Sequence, residues 1–176
     1  GKEPVHLPAG RQIHRLFRAA GLRLVFLILC DPEAVGLPFR TLAGMAGVSL
    51  GTVANVFTDL DLLGYLRKTR KGIRRLENRN KLLDAWADAY PRVLKPTLQI
   101  AKYRTDAGEW WKTKDLGALM AYLGGEPAAA LLTGFLRPEI ATVYMDGPIN
   151  TIAEKLRLVQ DANGNVELFR KFWVDL

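Results

Sequence analysis

The sequence predicts a mixed α+β fold in two parts, a helical N-terminal domain closed by a two-stranded hairpin and a small α/β domain after it. Three observations carry that expectation. Two short amphipathic segments at 39–46 and from Leu50 flank a Gly-Val-Ser turn, six cations crowd around Gly72, and past Pro96 period-two alternation is interleaved with helical segments. The first helix is expected over 12–29, where Ile13, Leu16, Phe17, Ala20, Leu24, Leu27 and Ile28 recur at helical spacing and Asp31-Pro32 ends the run. Leu37-Pro38 leads into the next helix, whose Leu42, Ala43 and Ala46 make a small apolar face for a crossing helix. Gly47 supplies the positive backbone angle of a tight turn, Val48 fills the gap between the helices, and Ser49 offers its side-chain oxygen as the cap of the next helix. In that third helix Val53, Val56, Phe57, Leu60 and Leu63 form the buried stripe. Gly51, Thr52, Asn55 and Asp59 are left on the other face, short and polar as entry into a major groove requires. Arg67, Lys68, Arg70, Lys71, Arg74 and Arg75 then fall on two short strands joined by a turn at Gly72. Helix, helix, helix and basic hairpin is the order of a winged helix-turn-helix.

A connector helix is expected over 78–90, with Leu82, Leu83, Trp86 and Ala89 on one stripe, Arg79, Lys81, Asp84 and Asp88 on another, and Pro91 closing it. Residues 97–104 alternate like a strand, 114–122 read as a helix with Leu116, Leu119 and Met120 inward, and 128–136 as a small-residue helix with Pro127 in its first turn. Residues 140–145 are the best strand in the chain, 149–159 read as helical, and 166–173 alternate again. Strands alternating with helices imply an α/β layer structure. The expected division is therefore a DNA-binding domain at 1–77, a connector at 78–95 and an α/β effector domain at 96–176. The aromatic ending FRKFWVDL is what a longer natural chain would show at this point.

Charge supports the same division. The 176 residues carry a formal net charge of +7, and residues 1–80 hold 13 Lys or Arg against 6 Asp or Glu, while residues 81–176 hold 12 of each. A cation field confined to one domain points to a polyanion partner for that domain. No apolar run approaches a membrane span, the stretch 22–30 being short and interrupted by Arg23. The opening GKEPVHLPAG lacks a secretory signal and the lone Cys30 excludes an internal disulfide, so a cytoplasmic protein is expected.

The partner implied is double-stranded DNA. The helix from Leu50 would enter the major groove with Thr52 and Asn55 offered to base edges and Ser49 at its start, because Asn can pair bidentately with adenine. Arg40 would hold a phosphate, and Arg67, Lys68, Arg70, Lys71, Arg74 and Arg75 would grip the flanking backbone, giving affinity that falls steeply with salt. A winged helix that docks protein is the competing reading of the same residues.

No catalytic, cofactor or metal residues are assigned. Glu126, Glu139, Asp146 and Glu154 with Lys155 invite a metal-nuclease reading, but their spacing is poor, and Asp146 before Gly147-Pro148 reads better as a turn residue. His6 and His14 are isolated, Cys30 reads as a small buried hydrophobe, and Gly124-Gly125-Glu126 lacks the lysine and hydroxyl of a phosphate loop. Trp110-Trp111 looks exposed beside Glu109 and Lys112 and suits either a contact surface or a sealed core edge.

Gly21-Leu22-Arg23, Val25-Phe26, Pro38-x-Arg40, Leu42-Ala43, Ala46-Gly47-Val48-Ser49, Gly51-Thr52-Val53, Asp59-Leu60 and Gly64-Tyr65-Leu66 resemble the winged domain of the AbiEi-type antitoxins of type IV abortive-infection toxin-antitoxin systems. The resemblance continues through Leu82-Leu83-Asp84-x-Trp86, Tyr90, Glu126-Pro127-Ala128-Ala129 and Ala141-Thr142-Val143-Tyr144. It implies an N-terminal domain that represses its own operon at inverted repeats and a C-terminal domain that opposes a nucleotidyltransferase toxin without need of a stable complex. Oligomeric state and antitoxin residues are not implied. Two rivals stand beside it: a winged-helix transcription factor whose second domain senses a small ligand, and a metal-dependent nucleic-acid-processing enzyme.

Overall fold

The structure is a computed structural model that describes residues 15–112, 114–135 and 137–174. Residues 12–14 of the expected first helix, and both histidines, lie outside them. The fold is mixed α+β. The described residues form two compact units, 15–97 with 172–174 and 98–171.

In the first unit α1 (Ala19–Cys30) buries Leu22, Leu24, Val25, Leu27, Ile28 and Leu29, so its continuous apolar run is that of a core helix covered on most sides. No single helix among the described residues is long and apolar enough to cross a membrane. A short 3-10 turn, Pro32–Gly36, comes next, begun by the Asp31 carboxylate accepting from Glu33 N. Then come α2 (Phe39–Ala46) and α3 (Leu50–Leu62), strands β1 (Leu66–Lys68) and β2 (Arg74–Leu76), and α4 (Arg79–Val93). Leu42, Val53, Val56 and Leu60 are fully buried against α1, and Leu60→Ala would cost about 2–5 kcal/mol by opening that core. Pro91 does not close α4 as the sequence suggested. It sits inside the helix, because only one ladder bond is missing and Leu94 N returns to Tyr90 O at 3.1 Å. Arg79 ties the helix start to the end of α1, its Nε and Nη2 donating to Leu29 O at 3.3 and 2.7 Å. Trp86 Nε1 donates to Leu22 O at 2.9 Å. Phe172 and Trp173 pack edge to face, and both rings contact Phe26. These residues therefore do not extend the final strand, which the alternation had carried to Trp173.

A helical turn, α5 (Lys95–Leu98), precedes β3 (Gln99–Arg104), so the expected strand begins two residues late. The second unit is built on a five-stranded sheet in the order β4-β5-β7-β3-β6, with β4 at Ala121–Gly124, β5 at Ala141–Met145, β6 at Val159–Gln160 and β7 at Val166–Arg170. Its helices are α6 (Gly125–Thr133) and α7 (Ile149–Lys155). Every residue of β5 is buried. β5 runs parallel to β7 while the other pairs are antiparallel, so the sheet is mixed. The helix expected at 114–122 is replaced by a 3-10 turn, Gly117–Leu119, and then by β4. Asp115 Oδ1 accepts from Ala118 N, Met120 takes a left-handed φ of 50° that ends the turn, and from Ala121 onward the backbone is claimed by pairing with β5, Ala121 standing opposite Met145. Likewise α7 stops at Lys155 and Val159 joins the sheet through β6, because the register with β3 satisfies that backbone. Trp110 and Trp111 are buried, 4% and 9% exposed, so the apparent surface pair is part of this core.

Candidate nucleic-acid interface

α2 and α3 meet at 106° across Gly47-Val48-Ser49. Gly47 adopts the left-handed conformation (φ 62°, ψ 41°) that a β-carbon would disfavour. Val48 packs against the core, and Ser49 Oγ accepts from Thr52 N at 3.1 Å as the α3 cap. Ser49 Oγ and Thr52 Oγ1 also share a hydrogen bond of 2.9 Å.

The face of α3 that looks to solvent carries Gly51, Ala54, Thr58 and Asp61. Thr52 and Asn55 stand on its flank, half-buried, and Asn55 Oδ1 accepts from Arg15 Nη1 at 2.9 Å. Asp59 is not on the outer face. It is 3% exposed and its Oδ2 accepts from Leu16 N at 3.0 Å, because a carboxylate at that helical position can satisfy a backbone donor of the segment before α1. Leu63, expected in the buried stripe, is exposed, α3 having ended at Leu62.

The hairpin is held by Thr69, whose N donates to Ile73 O, whose carbonyl accepts from Gly72 N, and whose hydroxyl accepts from Ile73 N. That turn projects Arg70 and Lys71 at the tip, both exposed. In the strands Arg67 stands opposite Arg75 and Lys68 opposite Arg74. Arg67 reaches Glu77 at 3.9 Å and Lys68 reaches Asp61 at 3.8 Å, with all four side chains open to solvent. Arg74 is engaged within the fold. Its Nη2 donates to Leu37 O at 2.7 Å, and its guanidinium lies 4.9 Å from the ring centroids of both Phe39 and Phe57, so the side chain fastens the hairpin to the start of α2 and to α3. Arg40, Arg70, Lys71 and Arg75 are exposed with no ion-pair partner among the described residues. Arg15 and Arg18, which the sequence pattern did not single out, line a cleft with Thr52 and Asn55.

Among the described residues no cluster of three His, Cys, Asp or Glu could hold a metal ion. Glu126 Oε2 accepts from Glu139 N at 2.9 Å, a loop tie rather than a paired acid site. Cys30 is exposed at the end of α1, not buried as its apolar neighbours suggested, yet partial burial of the thiol pushes its pKa up against the opposing field of Arg79. In the second unit the Arg104 guanidinium donates to Asp161 Oδ2 at 2.7 Å. That hydrogen bond, helped by Asn163 N, holds the Asp161 carboxyl below its ordinary range. A cavity of about 290 Å³ in the first unit is lined by Arg23, Phe26, Cys30, Met45, Phe172 and Trp173 among others.

Comparison with known proteins defines first a class, that of transcriptional regulators: residues 75–176 match the family described as transcriptional regulator, AbiEi antitoxin, type IV TA system. The match spans more than half of the chain, and the protein belongs to the AbiEi antitoxin family of type IV toxin-antitoxin systems. It begins within β2, so α2 and α3 lie outside it. No curated protein and no solved structure matches the chain.

Proposed function

We propose that the protein is an autoregulating antitoxin whose N-terminal part binds operator DNA as a winged helix-turn-helix. In this reading α2 and α3 are the helix-turn-helix, β1 and β2 are the wing, and α3 enters the major groove with Thr52 and Asn55 on its flank. Arg40, Arg67, Lys68, Arg70, Lys71 and Arg75 meet backbone phosphates around it. Ser49 shapes the helix start. The functional division is a DNA-binding domain at 1–77, a connector at 78–95 and an effector domain at 96–176 that opposes a nucleotidyltransferase toxin, all in the cytoplasm. The operator is an inverted repeat in the protein's own promoter, and the protein itself carries out no catalysis.

The observation that carries the reading is the hairpin register. Like charges directly opposite one another destabilise a strand pair, and Arg67 faces Arg75 while Arg70 and Lys71 extend the same field into solvent. An arrangement that repels itself is relieved by an external polyanion, and each phosphate neutralised releases condensed counterions. The 106° crossing of α2 and α3 falls in the range of DNA-binding helix pairs. A fluorescence-anisotropy titration against the promoter and a scrambled duplex, across a salt series, tests it. Tighter promoter binding with a steep salt slope is expected, and Asn55→Ala should remove about 1–3 kcal/mol of the discrimination. Equal or absent binding to the two duplexes would overturn the reading in favour of a protein-docking module.

A second reading, a ligand-responsive regulator, is favoured by the cavity beside Arg23 and Met45, since Met45 belongs to α2 and an occupant there would press on the helix pair.

A further inference from the structure

The segment before α1 is built into the flank of α3. Leu16 is fully buried, and its N–H is claimed by Asp59 Oδ2. The chain then folds back so tightly over the start of α1 that a β-carbon on Gly21 would lie 2.4 Å from Leu16 O and 2.5 Å from Arg15 O, so only glycine permits the path. The result is that Arg15 and Arg18, both exposed, are set beside Thr52 and Asn55 across a cleft of about 280 Å³ whose other wall is Ala20 and Gly21. Among the described residues no carboxylate lines the cleft. Arg15 donates one N–H to Asn55 Oδ1, and neither Arg15 nor Arg18 has an ion-pair partner among the described residues. Two guanidinium groups and a threonine hydroxyl around one small opening form a donor set for a tetrahedral oxyanion.

We propose that Arg15 and Arg18 seat one backbone phosphate of duplex DNA at the flank of α3, and that Arg15, bonded to Asn55, transmits the position of that phosphate to the amide offered to the bases. The proposal rests on the DNA-binding reading above. It adds a cationic grip contributed from outside the helix pair and the hairpin, and it makes Asn55 a side chain whose orientation depends on a contact to the backbone. Phosphate contacts of this kind set register without reading sequence, whereas their coupling to a base-contacting amide does affect discrimination.

The test uses the whole chain and its promoter duplex in anisotropy titrations over a salt series, with Arg18→Ala, Arg15→Ala, Asn55→Ala, the Arg15→Ala/Asn55→Ala double variant and Arg70→Ala as the reference for loss of an ordinary hairpin cation. Arg18→Ala should weaken promoter and scrambled duplex alike and lower the salt slope by about one. Arg15→Ala should also lower the promoter-over-scramble ratio, and the double variant should lose less than the two single losses combined. Duplexes carrying a neutral methylphosphonate at successive positions identify the contact: one position should weaken the wild type and leave Arg18→Ala unaffected, and Arg18→Lys should restore part of the sensitivity. If Arg15→Ala and Arg18→Ala keep the wild-type slope while Arg70→Ala loses it, the seat is refuted and the DNA reading stands. If the wild type binds neither duplex, both fall.

Discussion

In the β1–β2 hairpin Arg67 stands opposite Arg75 and Lys68 opposite Arg74, whereas in the β3–β7 pair Lys102 stands opposite Glu167 and the two side chains meet at 3.1 Å. Arg104 on β3 is matched in turn by Asp161. Both strand pairs are antiparallel and both carry cations, so the contrast lies in what answers the charge. For these two cations of β3 the answer is an acid on a neighbouring segment. In the hairpin it is partial: two long, solvent-open contacts to Glu77 and Asp61 that are worth little, and the withdrawal of Arg74 onto Leu37 O and two phenylalanine rings. In the hairpin, then, cations are left facing solvent, whereas Lys102 and Arg104 of β3 are each met by an acid of the same unit.

The strongest way to break that contrast is to reverse the exposed hairpin charge. The combined Arg70→Glu, Lys71→Glu and Arg75→Glu variant should lose promoter affinity by about 100-fold or more near 0.1 M salt while its circular dichroism is unchanged; retained affinity would remove the hairpin from the interface. Next in size is the division of labour inside the hairpin. Arg74→Ala should lower unfolding free energy by about 1–3 kcal/mol, since it loses a hydrogen bond and two ring contacts, and Arg70→Ala should stay within about 0.5 kcal/mol of wild type. Equal losses in urea unfolding would mean that Arg74 is no more structural than its neighbours.

A smaller effect has opposite signs in the two strand pairs. Arg75→Glu should stabilise the fold and Glu167→Lys destabilise it, each by about 0.2–1 kcal/mol, as one removes a like-charge facing pair and the other creates one. Both shifts should shrink as salt rises, so denaturant midpoints at low and high ionic strength provide the check. The smallest concerns pH. Asp161 has its folded-state pKa lowered by Arg104, so the contribution of the pair is present above the unfolded-state pKa, about 3.9, and is lost as pH falls through the lower folded-state value. A carboxyl carbon NMR titration should find the Asp161 midpoint below that of an ordinary aspartate, returning upward in Arg104→Ala. A midpoint that ignores Arg104 would deny the pairing.

The parts of the candidate site that could be read from the residues are those decided within a few positions. Gly47 in a left-handed turn, Ser49 as a cap and the turn at Gly72 each depend on neighbours one to four residues away. The apolar stripes of α1 and α3 are equally local. Asp59 was misread because a polar residue beside an apolar stripe suggests solvent, and its partner Leu16 lies 43 positions away. The contact of Arg74 is equally invisible to local pattern, its acceptor being 37 positions distant. In the second unit the segment 114–122 has helical periodicity, yet Ala121 and Tyr122 pair with Met145 and Tyr144. A sheet partner outweighs a weak local preference.

By itself, then, the sequence determined the order of the helices and hairpin in the first unit, the concentration of positive charge before residue 80, and the mixed α+β character. Each arises from local spacing or from composition. Tertiary structure alone decided which cations remain free and which become fasteners, which flank of α3 carries Asn55, that Arg15 and Arg18 stand beside it, and that β5 runs parallel to β7. The physical reason is that a charged side chain has the same local signature whether it ends in water, on a carbonyl or over a ring, and only the packing of distant segments chooses among them.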